Sequence, residues 1–143
     1  MYVKQISVFL ENRAGSLAGV TGLLGDNGFD LMSLSIADTT DFGILRGIVA
    51  DYKSAQAMLT EAGYSVKVSD VLCVSVPDHP GALATVLSIL SDHDVGLEYL
   101  YSFFRSHGDH ALVILRVDQP EAGIKALQDA GIRLLSQEDL QTV

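Results

Sequence analysis

The 143 residues are enough for one ordinary domain or two small ones, and 48% hydrophobic against 19% charged side chains supply apolar surface for a packed core. A formal charge of −9, with nine Lys and Arg scattered along the chain, argues against nucleic acid or anionic membrane as partner, since both need clustered cations. The apolar stretches are short and broken by Gly, Asp or His, so no membrane-spanning helix is expected; a lone Cys73 makes no internal disulfide, nothing at the N-terminus resembles a signal, and the expected location is the cytoplasm.

In chain order, residues 3–10 place Ile6, Val8 and Leu10 on one face, the period of a first strand. A turn at 11–15 leads into a helix from Ser16 to Asn27, with Leu17, Val20 and Leu24 apolar and Asn27-Gly28 as a left-handed stop. Leu31 to Ala37 alternates as a second strand. Both Leu31 and the alternating Met32, Leu34 and Ile36 are apolar there, which a bulge would reconcile. Thr39-Thr40-Asp41 reads as a turn, and Gly43 to Ala50 as a third strand and hairpin partner. Ala55, Met58, Leu59 and Ala62 mark a second helix, closed by Gly63, before a fourth strand at Tyr64 to Val68.

The order βαββαβ then begins again. Gly15 and Gly81 stand 66 positions apart, and the same shift pairs Ile6 with Leu72, Val8 with Val74, Leu17 with Leu83, Val20 with Val86 and Leu34 with Leu100. In the second copy the strands are Leu72–Val76, Val95–Phe103, Ala111–Val117 and Ile132–Leu135, with helices following Gly81 and over Glu121–Ala130. Ser136-Gln137-Glu138-Asp139-Leu140 reads as a capped turn. The copies divide into domains at 1–70 and 71–143, with Asp70 and Val71 as a joint of little slack. A core from about 70 residues is marginal. Apolar Leu31, Val71, Cys73, Tyr99, Tyr101 and Phe103 on a sheet whose second face bears no helix therefore predict pairing of edges or faces, and a homodimer.

The segment Asp78-His79-Pro80-Gly81-Ala82-Leu83 joins strand to helix, with Asn12-Arg13-Ala14-Gly15-Ser16-Leu17 as its first-copy echo. Pro80 suits a first helical turn, Gly81 leaves its N–H open to a ligand, and Leu83, Val86, Leu87 and Leu90 predict the buried stripe. Helix N–H groups attract a carboxylate and Asp78 could accept from an ammonium, which fits the head of a free amino acid; the alternative is an ordinary turn. Its charge makes the second loop the expected stronger site, unless Asn12 and Arg13 form the site and Asp78 only caps its own helix.

On this duplicated unit and its Asp-x-Pro-Gly-x-Leu turn, the sequence resembles the ACT-domain family, and in particular stand-alone proteins made of two tandem ACT domains. The resemblance covers nearly the whole chain. It implies an α+β fold, the ferredoxin-like βαββαβ sandwich duplicated in tandem. It also implies a regulatory, allosteric protein that is not an enzyme, carries no cofactor, and binds an amino acid between paired domains, where one domain's strand–helix loop faces its neighbour's second strand. Carried over, that marks Asp78, His79, Pro80, Gly81, Ala82 and Leu83, and in the first copy Asn12, Arg13, Ala14, Gly15, Ser16 and Leu17. The facing strands supply Met32, Ser33, Leu34 and Ser35, or Glu98, Tyr99, Leu100 and Tyr101. Asn12 and Ala14 stand where the pattern has Asp and Pro, so the two loops are not equivalent. An enzyme of amino-acid metabolism is the implied protein partner.

Two rival readings belong to other classes. A module that pairs with an enzyme without a ligand of its own shows no motif that separates it from a sensor. An acylphosphatase-like hydrolase needs an Arg in a glycine-rich loop; Arg13 lies in a loop, but no Gly-x-Val-Gln-Gly segment surrounds it, and no nucleophile, P-loop or Cys-x-x-Cys pattern is present. His107-Gly108-Asp109-His110 has metal-ligand residues without a third or fourth partner and reads as a hairpin turn, and His93 as a helix-end residue. Tyr99, Tyr101, Phe103 and Phe104 read as core or interface rather than as a base-stacking platform.

Overall fold

Period-two alternation makes Val3–Glu11 strand β1 of the computed structural model, which describes residues 1–38, 42–105 and 108–143. Helix α1 (Ser16–Asp26), strands β2 (Ser33–Asp38) and β3 (Phe42–Ile48), and helix α2 (Tyr52–Glu61) follow. The second round comprises β4 (Ser65–Pro77), α3 (Ala82–Asp92), β5 (Leu97–Ser102), β6 (His110–Val117), α4 (Pro120–Asp129) and β7 (Arg133–Leu135). Each round is the α+β, ferredoxin-like arrangement of antiparallel strands under two helices. The turn assigned to Thr39-Thr40-Asp41 lies outside the described residues.

The chain forms two compact units, Lys4–Ser69 and Asp70–Val143, and Met1–Val3 goes with the second. In the first, β3 pairs antiparallel with β1 and with β2. Ile6, Val8 and Leu10 from β1 meet Val20 and Leu24 of α1, Leu45 of β3, and Ala55 and Leu59 of α2 in one buried cluster. In the second, β4 lies between β6 and β7, and β5 pairs on the far side of β6. There Leu72, Val74 and Val76 pack with Val86 and Leu90 of α3 and Ile124 and Leu127 of α4. Tyr2 packs against this same cluster, and its hydroxyl donates to Glu121 Oε1.

Four local expectations are corrected. The joint at Asp70-Val71 lies inside a strand: the two predicted strands are one, β4, with no Gly or Pro from Ser65 to Val76 to break it. Pro80 lies before helix α3, whose N-cap is Gly81, so the proline shapes the turn rather than the first helical turn. Val86 and Leu90 of the predicted α3 stripe are buried and Leu87 is half-buried, but Ala82 takes the buried place expected of Leu83, which is exposed, so the helix is turned by less than one residue from the prediction. Strand β2 needs no bulge, since Leu31 precedes it and packs on the first cluster; the register irregularity is in β5, between Leu97 and Tyr99.

The capped turn appears as expected. Ser136 N–H donates to Asp139 Oδ2 at 2.7 Å and Asp139 N–H to Ser136 Oγ at 3.3 Å, a reciprocal pair opening the 3-10 turn Asp139–Thr142. Beside it Cys73 has no exposed surface, and burial first, then the charge of Asp139, pushes its thiol up to about 12. Native protein at pH 8 is expected to leave a disulfide reagent such as dithionitrobenzoate unconsumed, and denatured protein to consume one equivalent. Rapid reaction of the native thiol would show that this face of β4 is open.

Candidate functional site

The two strand–helix turns have the same backbone. Gly15 and Gly81 are the N-caps of α1 and α3, at φ 87° and 86°, a left-handed conformation that glycine adopts without strain. An added Cβ at either would meet nothing within 4 Å, so both face open space. Hydrogen bonds repeat with the sequence: Arg13 N–H donates to the Glu11 carbonyl as His79 N–H does to Pro77, Ser16 to Arg13 as Ala82 to His79, and Gly19 to Gly15 as Thr85 to Gly81. This pattern leaves Gly15, Leu17 and Ala18 in one turn, and Gly81, Leu83 and Ala84 in the other, with N–H groups unpartnered among the described residues. Such N–H groups at a helix start favour an anion.

The side chains differ. Asp78 is exposed, and its carboxylate makes no hydrogen bond among the described residues, so it does not cap α3; its own N–H donates to the Asp109 carbonyl at 2.9 Å. His79 Nδ1 contacts the Pro80 carbonyl oxygen at 3.1 Å. In the first turn Arg13 Nε lies 3.1 Å from Glu11 Oε2, with both side chains exposed, an ion pair of small energetic weight. Leu17 and Leu83 are exposed at matching positions, beside the open N–H groups.

A hollow of about 700 Å³ opens against the first turn. Arg13, Ala14, Gly15 and Ser16 line one side, and Phe9, Glu11 and Tyr64 line others. The sequence had flagged neither Phe9 nor Tyr64 for a site. Tyr64 follows the helix stop Gly63 and is carried to the turn only by the pairing of strands, a juxtaposition that local patterns do not encode.

Within each unit the turn and the second strand are kept apart. Leu34 stands level with Gly47 and, through it, with Ile6, five residues before Glu11 at the turn. Leu100 stands level with Leu115 and Leu72, five residues before Pro77. At roughly 3.3 Å per residue that is about 17 Å along the strand. Met32 and Ser33 are buried, Leu34 is half-buried, Tyr101 is buried, and Tyr99 stacks on Tyr101 with ring centroids 6.4 Å apart. A ligand touching a turn and these strand positions takes them from different copies of the unit.

Of the other flagged groups, His93 Nδ1 contacts the Ile89 carbonyl oxygen at 2.8 Å at the end of α3, and His110 Nδ1 contacts Asp109 Oδ1 at 2.8 Å. That hydrogen bond, first, holds the Asp109 carboxyl below its ordinary range. His107 lies outside the described residues. Among the described residues no three His, Cys, Asp or Glu gather as a metal site, and no helix is long and apolar enough to cross a membrane.

Comparison with known proteins adds a family and a set of folds. The family model of the ACT domain pair matches residues 1–143. The crystal structure of protein BT0572 from Bacteroides thetaiotaomicron is 40% identical, with a TM-score of 0.92 over 100% of this chain and 98% of that one. The regulatory subunit of aspartate kinase from Thermus thermophilus, in its ligand-free form, is 15% identical with a TM-score of 0.63 over 89% and 91% of the two chains, a likeness of fold. The aspartokinase α and β subunits give 20% identity and a TM-score of 0.59 over 89% and 90%. No curated protein sequence matches the chain.

Proposed function

Because the chain belongs to the ACT-domain family, as an ACT domain pair and hence a regulatory module, we propose that it senses a free amino acid and that the strand–helix turns hold the ligand. The observation that carries this reading is the duplicated turn: two left-handed glycine N-caps with unpartnered N–H groups facing open space. Those groups take the ligand carboxylate, and Asp78 takes its ammonium. Strand residues around Ser33 or Tyr99 from a neighbouring copy close the site. Calorimetric titration with each of the proteinogenic amino acids tests the proposal. One or a few should give saturable heat; no heat with any of them would leave a pairing module without a ligand.

Closure by a neighbouring copy calls for self-association. Strands β2 and β5 end the strand order and expose Ile36 (45%), Leu97 (38%) and Leu100 (37%), apolar side chains on unpaired edges. A homodimer is expected, and sedimentation at micromolar concentration should give twice the mass of one chain. A monomer there would remove this closure. An enzyme partner, as for the aspartate kinase regulatory subunits that share the fold, would then read the bound state.

A further inference from the structure

On the sheet face of the second unit away from its helices, three neighbouring strands bring Arg133, Ser75 and His110 together. In register, Ser75 of β4 lies opposite Arg133 of β7, and Pro77, two residues on, lies opposite His110 of β6. Side chains opposite one another on a sheet stand about 5 Å apart at Cβ, and diagonal ones about 7–8 Å. These residues, with Pro77, Gly131 and Ile132, line a hollow of about 220 Å³ to which Asp78–Leu83 contribute nothing. Its size is below the roughly 300–1,000 Å³ of drug-sized ligand sites and suits a small ion.

The polar groups of this hollow are uncommitted. Ser75 is 8% exposed, and its hydroxyl has no hydrogen-bond partner among the described residues. That hydroxyl opens into the hollow, since among the described residues no fully buried side-chain oxygen or nitrogen lacks a partner, and it is available to an occupant. Arg133 forms no ion pair among the described residues. The carboxylate that feels its charge, Asp139, is bonded by the Ser136 N–H and hydroxyl at 2.7 and 3.0 Å. His110 Nδ1 is engaged by Asp109, which leaves Nε2 to the hollow's contents. The first copy has a hollow here too, the 700 Å³ one at the first turn, but not these polar groups: at the matching register stand Phe9, Phe42 and Ser65, with the two rings 6.3 Å apart.

We propose that this hollow is a separate site for a small oxyanion, gripped by the Arg133 guanidinium and the Ser75 hydroxyl against His110. A guanidinium presents parallel N–H donors to a carboxylate or phosphate, and the Ser75 hydroxyl adds a third. The site is independent of amino-acid sensing at the turns.

Inorganic phosphate and, separately, acetate should be titrated into the full chain at constant ionic strength, following backbone amide resonances. Saturable shifts at Ser75, His110 and Arg133, with the equivalent Phe9 and Phe42 unmoved, are expected; saturation by phosphate alone assigns a phosphate ligand, and by both a general oxyanion. Arg133→Gln, at an exposed position, should weaken binding about tenfold or more, and Ser75→Ala severalfold. Absence of saturation with either anion, or parent-like affinity in Arg133→Gln, would overturn the site.

Discussion

Leu127→Ala is expected to destabilise the second unit by about 2–5 kcal/mol, the range for emptying a leucine-sized volume in a closed core. Leu127 has no exposed surface and sits on α4 within the cluster of Leu72, Leu115 and Leu134. Alanine is the better helix former, so α4 gains slightly in propensity, and the loss comes from the cavity and the withdrawn contacts. Leu59 on α2 is its counterpart, equally buried, in the first cluster. Hydrogen exchange should therefore lose protection over residues 70–143 in Leu127→Ala and over 4–69 in Leu59→Ala. A cost below about 1 kcal/mol for Leu127→Ala would mean that the second cluster is less tightly closed than its burial indicates.

Asp78→Asn is expected to weaken amino-acid binding by about five- to hundredfold, on the order of 1–3 kcal/mol, because a carboxylate bonds an ammonium through a charge-assisted hydrogen bond that an amide cannot match. Its effect on folding should be small, since the Asp78 side chain is exposed and caps nothing. Asn12→Ala should cost less. Parent-like binding by Asp78→Asn, together with loss in Asn12→Ala, would move the site to the first turn, where Arg13 and the 700 Å³ hollow already provide a carboxylate donor and space. Gly81→Val is the backbone companion. At φ 86° a β-branched residue costs about 1–2 kcal/mol of strain with no clash inside the chain, and its methyl groups would stand over the open N–H groups. Binding should then fall well beyond the modest loss of stability.

What residues dictate over a few positions was legible before any coordinates. Alternation at Ile6, Val8 and Leu10, the stops at Gly28 and Gly63, and the 66-residue echo of Gly15 in Gly81 all depend on neighbours in sequence, and element order with the repeat follows from them. The need for glycine at 15 and 81 is local too, since only a left-handed residue turns the strand into the helix at that angle. Other features waited for tertiary structure because they depend on what arrives from far along the chain. The rotation of α3 that buries Ala82 and exposes Leu83 was decided by packing on β4 and α4, to which either residue alone gives no clue. The merger of two predicted strands into β4 required pairing partners along its length, which a sequence window cannot count. The two hollows are the clearest case: Tyr64 meets the turn at Gly15, and Arg133 meets Ser75, only because strand order closes loops of about 50 to 60 residues, and neither residue belongs to a pattern that names its destination.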